Sequence, residues 1–352
     1  MTNKDKILQL IKQKGKITSS EITGSVDVSR QYVNMVMTDL IAEKQVTKLG
    51  GTRNAFYVSK EYVRTHPDIL PSTFKKKYKN VSLEEHNVLM DIEEKFPLIL
   101  NIPENIKSIF TFAFSEMFNN AIEHSGSKII SVEVSLKNDK LSFVVEDSGI
   151  GVFRNIMKKR RLHSVVEAIQ DLLKGKTTTM PKSHSGEGIF FTSKASDLFI
   201  LDSFGYKLNI QTLLGDVTVK QISVSKRGTR VIFEISVGSN LHLNDVFKKY
   251  TNLKGDSDFG FDKTEIRVKL FTKSGIHISR SQARRILSGL EKFKIILLDF
   301  DKVPVVGQAF VDEIYRVFQN THPDIAIQEE NMSASVKFMV ERAKNEARKK
   351  KK

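Results

Sequence analysis

Phe114-Ser-Glu-Met-Phe-Asn-Asn-Ala-Ile-Glu-His124 lies within residues 103–125, which the sequence predicts to form one long helix. Glu116, Asn120 and His124 follow one another at intervals of four residues, so their side chains share one face of that helix. Such a face is consistent with an ordinary polar surface turned to water. It is equally consistent with chemistry, because a carboxylate can orient a water molecule and an amide oxygen can be a ligand for Mg²⁺.

A second motif, Val144-Val-Glu-Asp-Ser-Gly-Ile-Gly151, comes further along the chain. Its apolar residues predict a strand that ends at Asp147, and a buried Asp at a strand end can accept a hydrogen bond from the amino group of adenine. Gly149 and Gly151 let the backbone turn sharply and approach a ligand closely. Because an ordinary turn between two elements has a similar composition, this motif alone does not establish a binding site.

The third motif, His184-Ser-Gly-Glu-Gly-Ile-Phe-Phe191, places Gly186 and Gly188 at the start of a predicted helix that runs to about Leu198. The free backbone N–H groups at a helix start suit a phosphate group. Glycine pairs of this kind are common and specify little when they occur singly. The order and spacing of the three motifs are therefore more informative than any one of them.

In that order and spacing the motifs resemble the GHKL family, the ATP-binding fold shared by gyrase-type topoisomerases, Hsp90 chaperones, MutL proteins, histidine kinases and anti-sigma-factor kinases. The resemblance covers about residues 80–237 and implies an α/β sandwich of the Bergerat type. The matching motifs are Glu116-xxx-Asn120 with the N-box, Asp147-x-Gly149-x-Gly151 with the first glycine box, Gly186-x-Gly188 with the second, and Gly228-Thr229 with a late Gly-Thr pair.

The resemblance also implies roles for single residues. Glu116 would activate water as the catalytic residue, Asn120 would hold Mg²⁺, Asp147 would bind adenine, and the Thr229 hydroxyl would support Asp147. The cofactors implied are ATP and Mg²⁺. The ATP-binding residues implied are Asn120, His124, Asp147, Gly149, Gly151, Lys182, Gly186, Gly188 and Thr229.

Residues 152–185, which are rich in Lys and Thr near their end, would form a lid over the phosphates. Glycines at both ends suit a segment that switches between order and disorder. Lys176 and Lys182 could reach a phosphate group from this lid. They could equally remain solvated charges on its surface.

Residues 1–60 predict a different kind of domain. Helices are expected at residues 4–14, at residues 18–25 with Thr18 and Glu21 as a capping box, and after a Ser29 cap, followed by two short strands about a Gly-Gly turn. This order resembles a winged helix-turn-helix, whose third helix enters the major groove of double-stranded DNA. The candidate DNA-binding residues are Ser29, Arg30, Gln31, Asn34, Lys48 and Arg53.

The net charge of +15 is unevenly distributed along the chain. Residues 1–80 carry 15 basic and 7 acidic side chains, and residues 337–352 carry 8 basic and 2 acidic ones. The basic N-terminal part favours a polyanion such as DNA as its partner, although winged helices also serve as protein-interaction or dimerisation modules. The Lys-rich end of the chain is typical of a solvated basic tail.

The remaining segments complete an α+β multidomain organisation. Residues 61–80, with two prolines and a basic cluster, predict a linker, and residues 81–240 the ATP-binding domain. Residues 241–336 predict a small α/β domain that weakly resembles the STAS domains appended to some bacterial GHKL ATPases. Its loop Val305-Val-Gly-Gln-Ala-Phe310 lacks the serine that is phosphorylated in anti-sigma-factor antagonists, so a binding or structural role is favoured.

Composition excludes several classes of protein. The chain has no cysteine, which rules out disulfides and thiolate metal sites. No stretch is long and apolar enough to span a bilayer, and the first residues do not form the core of a signal peptide. We therefore expect no membrane partner and a cytoplasmic location.

These features predict an ATP-binding and slowly ATP-hydrolysing regulator whose nucleotide state controls the binding of DNA or of a protein partner. Two alternatives stay open: a serine/threonine kinase of the anti-sigma-factor type, and a nucleotide-sensing scaffold without turnover, which Glu116 disfavours. His86 could be the phosphoacceptor of a histidine kinase, but nothing around it resembles the usual H-box. A partner of the C-terminal domain and a homodimer also remain open.

Overall fold

A computed structural model describes residues 2–43, 45–51, 55–176, 186–223, 226–251, 261–271 and 276–349. These residues fall into two compact units. The first unit comprises Met1–Phe74 and Ile92–Asn101, and the second comprises Lys75–Asp91 and Ile102–Lys352.

Side-chain caps define where the helices of the first unit begin. The predicted capping box forms, because the Thr18 hydroxyl accepts a hydrogen bond from the Glu21 N–H while the Glu21 carboxylate accepts one from the Thr18 N–H at 2.7 Å. Ser29 caps the third helix by accepting a hydrogen bond from the Tyr32 N–H at 3.2 Å. The elements of this unit are α1 (Asn3–Lys14), β1 (Lys16–Ile17), α2 (Ser19–Val26), α3 (Arg30–Ala42), β2 (Val46–Leu49), β3 (Phe56–Ser59) and α4 (Lys60–Thr65).

An antiparallel sheet with the order β1-β3-β2 packs with these helices around one apolar core. The four residues that the sequence predicts to face inward from the third helix are all buried, which confirms its helical period. The core consists of Ile7, Ile11, Ile17, Ile22, Val33, Val36, Met37, Leu40, Val46 and Tyr57.

Residues 61–80 are not a simple linker. They contain the end of α4, a 3-10 turn over Pro67–Ile69 and strand β4 (Thr73–Lys79). Phe74 is buried while the lysines at alternate positions are exposed, so the period-two pattern of a strand was hidden among basic residues. Lysines of this kind are typical of an edge strand, and β4 lies at the edge of its sheet.

The second unit is built on a seven-stranded sheet. The order is β4, β5, β6, β10, β7, β8 and β9, and neighbouring strands from β5 to β9 in this order run antiparallel. Strand β7 was not predicted, because the helix that precedes it was expected to continue to its first residue. The strands after β4 are β5 (Ile129–Lys137), β6 (Lys140–Asp147), β7 (Leu198–Ser203), β8 (Tyr206–Gln211), β9 (Asp216–Gln221) and β10 (Arg230–Ser236).

A row of aromatic rings attaches the long central helix to this sheet. Phe110, Phe114 and Phe118 lie four residues apart on the helix and stack on one another, and Phe143 of β6 contacts the first two edge-on. The ring of Phe233 on β10 stacks on Phe143 with centroids 4.9 Å apart. This packing turns a different face of the helix, with Glu116, away from the aromatic row. The helices are α5 (Glu85–Lys95), α6 (Glu104–His124), α7 (Val152–Lys159), α8 (Val165–Leu173), α9 (Gly188–Lys194) and α10 (Leu243–Tyr250).

A second, parallel sheet of three strands forms the C-terminal part of this unit. Its central strand is almost fully buried, as its apolar sequence predicts, and the order is β11, β12 and β13. A single helical stretch from Gln308 to Thr321 contains a π turn over Glu313–Phe318. The elements are β11 (Lys263–Arg267), α11 (Arg280–Leu287), β12 (Ile295–Asp299), α12 (Gln308–Asp312), α13 (Gln319–Thr321), β13 (Ala326–Glu330) and α14 (Ala334–Lys349).

Three predictions for this part differ from the structure. The strand expected over residues 264–271 ends at Arg267, and a 3-10 turn follows in which Val268 and Phe271 are both buried. The helix expected over residues 279–293 ends at Leu287, because Gly289 adopts a left-handed backbone conformation with φ +80°.

The third difference concerns the basic tail predicted over residues 337–352, most of which belongs to α14. Val336, Val340 and Ala343 are buried at helical intervals, so a small apolar stripe anchors a helix that is otherwise charged. Residues 350–352 lie outside the described residues.

Candidate functional site

A cavity of about 270 Å³ lies between α6, the end of β6, α7 and the start of α9. It joins the three sequence motifs, which are far apart along the chain. Its apolar lining comes from α6, α7 and the sheet, and its polar lining comes mainly from the motif residues. The polar side chains that line it include those of Glu116, Asn120, His124, Asp147, Asn155 and Thr229, and the apolar ones include Val145, Val152, Ile156 and Val231.

The polar row of α6 forms one wall of this cavity. Glu116, Asn120 and His124 all line it and are half-buried, as expected from their spacing of four residues. The aromatic row on another face of the same helix holds them in place. The helix thus offers a carboxylate, an amide and an imidazole to one enclosed space.

Asp147 lines the same cavity from the end of β6 and is only 4% exposed. Its Oδ1 atom accepts a hydrogen bond from the Gly149 N–H at 2.8 Å. Burial raises the pKa of Asp147, and the hydrogen bonds from Gly149 and Thr229 partly offset that rise. Each carboxylate oxygen has two lone pairs, so the Asp147 carboxyl group, which lines the cavity, can accept a further hydrogen bond from a ligand.

Thr229 connects Asp147 to the glycine-box turn. Its hydroxyl accepts a hydrogen bond from the Val152 N–H at 2.9 Å and also hydrogen-bonds to the Asp147 carboxyl. Its carbonyl accepts a hydrogen bond from the Asp147 N–H at 2.9 Å. Gly228 has φ +80°, and a Cβ atom there would overlap the Asp147 carbonyl and carboxyl groups, so only glycine fits.

Gly188 brings the start of α9 against the wall of α6. A Cβ atom at this position would overlap the carboxylate of Glu116, so the absence of a side chain allows the contact. Gly151 and Gly186 also line the cavity, whereas Gly149 lies behind it, against Ser125. The two glycine boxes therefore border one cavity from two sides.

The predicted lid, residues 152–185, is described as far as Lys176 and contains α7 and α8. The sequence leaves open whether Lys176 reaches a phosphate group or is a solvated charge, and the structure gives it other contacts. Its ammonium group lies 3.8 Å from Asp262 and over the rings of Phe261 and Phe293, and Lys176 does not line the cavity. Lys182 lies outside the described residues.

Sequence reasoning missed the contribution of α7 to the cavity. Asn155 is a polar residue that is 8% exposed and lines the cavity, together with Val152 and Ile156. The available signal lies directly after the first glycine box, where apolar and polar pairs follow one another in the sequence Val152-Phe-Arg-Asn-Ile-Met-Lys-Lys159. This pattern is typical of an amphipathic helix, but no helix was predicted there.

The residues of the cavity fit a Mg²⁺ ion that would be held partly by the phosphate groups of a bound nucleotide. No group of three His, Asp or Glu side chains that could hold a metal ion occurs in the described parts of the chain. Mg²⁺ takes few protein ligands when it binds nucleotides, and the amide oxygen of Asn120 suits that role.

The candidate DNA-binding residues form a second, separate group in the first unit. Arg30, Gln31 and Asn34 are exposed along α3, and Lys48 is exposed on β2. The Ser29 hydroxyl is engaged as the cap of α3. Arg53 lies outside the described residues.

The two phosphoacceptor positions considered from the sequence are also located. His86 is exposed in the first turn of α5. In the C-terminal part, Val306 pairs with His277, and Gly307 caps α12 without a side-chain hydrogen bond. Among the described residues, no helix has the length and apolarity needed to cross a bilayer.

Comparisons with known proteins agree with the geometry of the cavity. Residues 107–239 match the family described as histidine kinase-, DNA gyrase B- and HSP90-like ATPases, and residues 282–337 match a STAS-like domain of unknown function. A search of curated proteins finds no match. The chain therefore contains a GHKL-type ATPase domain followed by a STAS-like domain.

Proposed function

We propose that this chain binds ATP with Mg²⁺ in the cavity between α6, β6, α7 and α9, hydrolyses it slowly, and uses its nucleotide state to control DNA binding. The observation that carries the proposal is that Asp147, at the end of β6, and Glu116, on α6, line one cavity from two different elements. An adenine-binding carboxyl and a water-activating carboxylate have to be separated in this way, because the base and the terminal phosphate are the two ends of ATP.

Adenine recognition would depend on Asp147. The amino group of adenine would donate a hydrogen bond to the Asp147 carboxyl group, in addition to those from Gly149 and Thr229, while apolar side chains such as Val145, Ile156 and Val231 would enclose the ring. A buried hydrogen bond to a carboxylate discriminates strongly, because a base without the donor would leave that oxygen unpaired.

Hydrolysis would depend on Glu116. Its carboxylate would accept a proton from a water molecule while the water oxygen forms a bond to the terminal phosphorus. The bond from that phosphorus to the bridging oxygen breaks, and ADP carries away the electron pair. When bound, Mg²⁺ would neutralise phosphate charge, and Asn120 is the residue placed to hold it.

DNA binding would use the first unit, whose element order resembles that of a winged helix-turn-helix. The supporting observation is the exposed polar face of α3, where Arg30, Gln31 and Asn34 share one side. Arg, Gln and Asn are the side chains that pair with guanine and adenine edges in the major groove. Lys48 would contact the DNA backbone.

The test is to measure ATP binding and turnover by the full chain and by Glu116→Gln, with and without double-stranded DNA. We expect the variant to bind ATP while turnover falls by about 10²- to 10⁴-fold, the usual contribution of a general base. Glu123→Gln is the matched control, because Glu123 is exposed on the same helix. Turnover by Glu116→Gln at the wild-type rate would contradict the assigned role.

The same samples distinguish hydrolysis from phosphotransfer. ATP labelled on its terminal phosphate should release labelled inorganic phosphate. Label retained on a protein side chain would instead identify a protein kinase. Wild-type turnover that does not change with DNA, together with DNA affinity that does not change with ATP, would refute the regulatory part of the proposal.

A further inference from the structure

Two lysines extend from the neighbourhood of the nucleotide cavity to the STAS-like part of the second unit. Lys174 ends α8, which packs on both α7 and α9, and Lys194 ends α9. Both α7 and α9 border the cavity, the first through Val152 and Asn155 and the second through Gly188. Lys194 therefore connects an element at the cavity with the C-terminal sheet, and Lys174 connects α8, which packs on two such elements, with the helix α11.

Lys174 caps the end of α11. Its ammonium group donates hydrogen bonds to the carbonyl oxygens of Arg285 at 3.0 Å and Ser288 at 2.8 Å, which belong to the last turn of that helix. Such carbonyl groups lack partners within the helix and carry partial negative charge. The carbonyl of Lys174 in turn accepts a hydrogen bond from the Thr264 hydroxyl at 2.6 Å.

This arrangement depends on the two parts being docked. Lys174 is 4% exposed, and burial lowers its pKa to about 8. An ammonium group taken out of water without partners is costly, and the α11 carbonyls are the partners that the ammonium group has here. Thr264 is fully buried, so the reciprocal hydrogen bond is also lost if α8 and β11 separate.

Lys194 makes the second connection. Its ammonium group lies 3.1 Å from Oε2 of Glu265 on β11, and the Tyr250 hydroxyl donates to the same oxygen at 3.2 Å. Although burial opposes ionisation, the Lys194 ammonium group holds the pKa of Glu265 at about 2. Burial lowers the pKa of Lys194, and the neighbouring Glu265 carboxylate opposes that fall.

The junction between these parts is partly hollow. A cavity of about 490 Å³ is lined by residues of α8, α9 and α10 and by β11 and its following turn, and Lys174, Lys194 and Glu265 are among them. An aromatic cluster that includes Phe190, Phe191, Phe261 and Phe293 also packs at the junction. Directional hydrogen bonds therefore add to the packing where the cavity leaves van der Waals contacts incomplete.

We propose that the STAS-like domain is an internal regulatory partner of the nucleotide site, and that Lys174 and Lys194 are positioning residues through which it holds α8 and α9 in place. The inference rests on the proposed nucleotide binding. Because coupling between two sites is reciprocal, ATP binding should strengthen the docking of α11 by the factor by which docking strengthens ATP binding.

The test uses the full chain and a non-hydrolysable ATP analogue with Mg²⁺. Dissociation constants are measured together with hydrogen exchange of the α11 peptide, residues 280–290, with and without the analogue. In the wild type we expect the analogue to slow exchange in this peptide. In Lys174→Met we expect that response to disappear and the analogue to bind about 5- to 150-fold more weakly, the usual range for allosteric coupling.

Two further variants make the result specific. Lys158→Met, an exposed lysine on α7, should behave like the wild type in both measurements. Thr264→Val removes one hydrogen bond without changing side-chain size, so it should give a smaller change in the same direction even if Lys174→Met fails to fold.

Unchanged affinity and an unchanged α11 response in Lys174→Met would overturn the inference, as would wild-type behaviour of Thr264→Val where Lys174→Met does not fold. A wild type that binds the analogue without any response in α11 would overturn the inference and leave the proposed nucleotide binding intact. A wild type that binds no analogue would overturn the proposed nucleotide binding, and the inference with it.

Discussion

The polar residues of the proposed nucleotide cavity differ in burial from those on the exposed face of α3. Asp147 is buried and positioned by hydrogen bonds from Gly149 and Thr229. Arg30 and Gln31 extend from α3 into solvent. A buried group with fixed partners is expensive to alter, whereas an exposed group contributes one contact among several. Substitutions in the cavity should therefore have large effects, and substitutions on α3 small ones.

Asp147→Asn should give the largest effect on ATP affinity. The amide can no longer offer two acceptor oxygens, so either the contact with Gly149 or the contact with adenine is lost, at a cost of about 1.5–3 kcal/mol for a hydrogen bond to a charged group. We expect ATP affinity to fall about 10- to 150-fold, measured by titration calorimetry. Equal affinity of the variant and the wild type would show that adenine is not bound at Asp147.

Gly228→Ala tests whether the cavity is as closely built as the structure indicates. The new Cβ atom would overlap Asp147 at a backbone angle that favours glycine, and we expect a loss of about 2–4 kcal/mol in the free energy of unfolding. Gly238→Ala is the matched control, because its nearest neighbour is Ser236 Oγ at 3.9 Å. Urea unfolding of both variants measures the difference, and equal stability of the two would refute the close approach.

His277 is a buried polar residue that lacks, in the described parts of the chain, the fixed partners that Asp147 has. It is fully buried, and neither ring nitrogen has a hydrogen-bond partner within the described residues. Burial lowers its pKa to about 4 from 6.5. The unfolded chain therefore binds one more proton between these two values, so stability is complete above pH 6.5 and falls as the pH drops towards 4. The loss expected from this group reaches about 3 kcal/mol.

The measurement is the free energy of unfolding as a function of pH for the wild type and for His277→Leu. The difference between the two curves should shrink or change sign as the pH falls from 6.5 to 4. Parallel curves across this range would show that His277 does not titrate differently in the folded and unfolded states.

On α3 the expected effects are the smallest. Arg30→Ala should weaken binding to a specific DNA site by about 1–3 kcal/mol and relax sequence preference at one position. Lys48→Ala should weaken binding to all sequences alike and reduce the salt dependence by about one unit in the slope of log K against log salt. Fluorescence anisotropy at several salt concentrations separates the two, and wild-type affinity in both variants would remove α3 and β2 from the interface.

The sequence predicted the cavity better than it predicted the junction beside it. The spacing of Glu116, Asn120 and His124 follows from helix geometry, and the structure places all three on one wall. Thr229 was expected beside Asp147 from the resemblance alone. These predictions succeeded because they depend on local period or on motifs that the family shares.

The misses have a different cause. The sequence offers Lys176 only as a phosphate contact or a solvated charge and indicates no role for Lys174. In the structure, Lys176 lies beside Asp262 and Lys174 caps α11. Strand β4 was hidden by its lysines, and α14 by its many charges. Where a charged residue is buried by a distant part of the chain, local composition carries no signal of that contact, and only the tertiary structure shows it.

The most direct test of the central claim is to map where ATP binds by hydrogen exchange of the full chain with and without Mg²⁺-ATP. We predict slower exchange in residues 145–156, which contain Asp147 and the start of α7, and in residues 186–192 at the start of α9. Protection confined to other parts of the chain, or no protection at ATP concentrations that saturate binding, would contradict the assignment of this cavity as the nucleotide site.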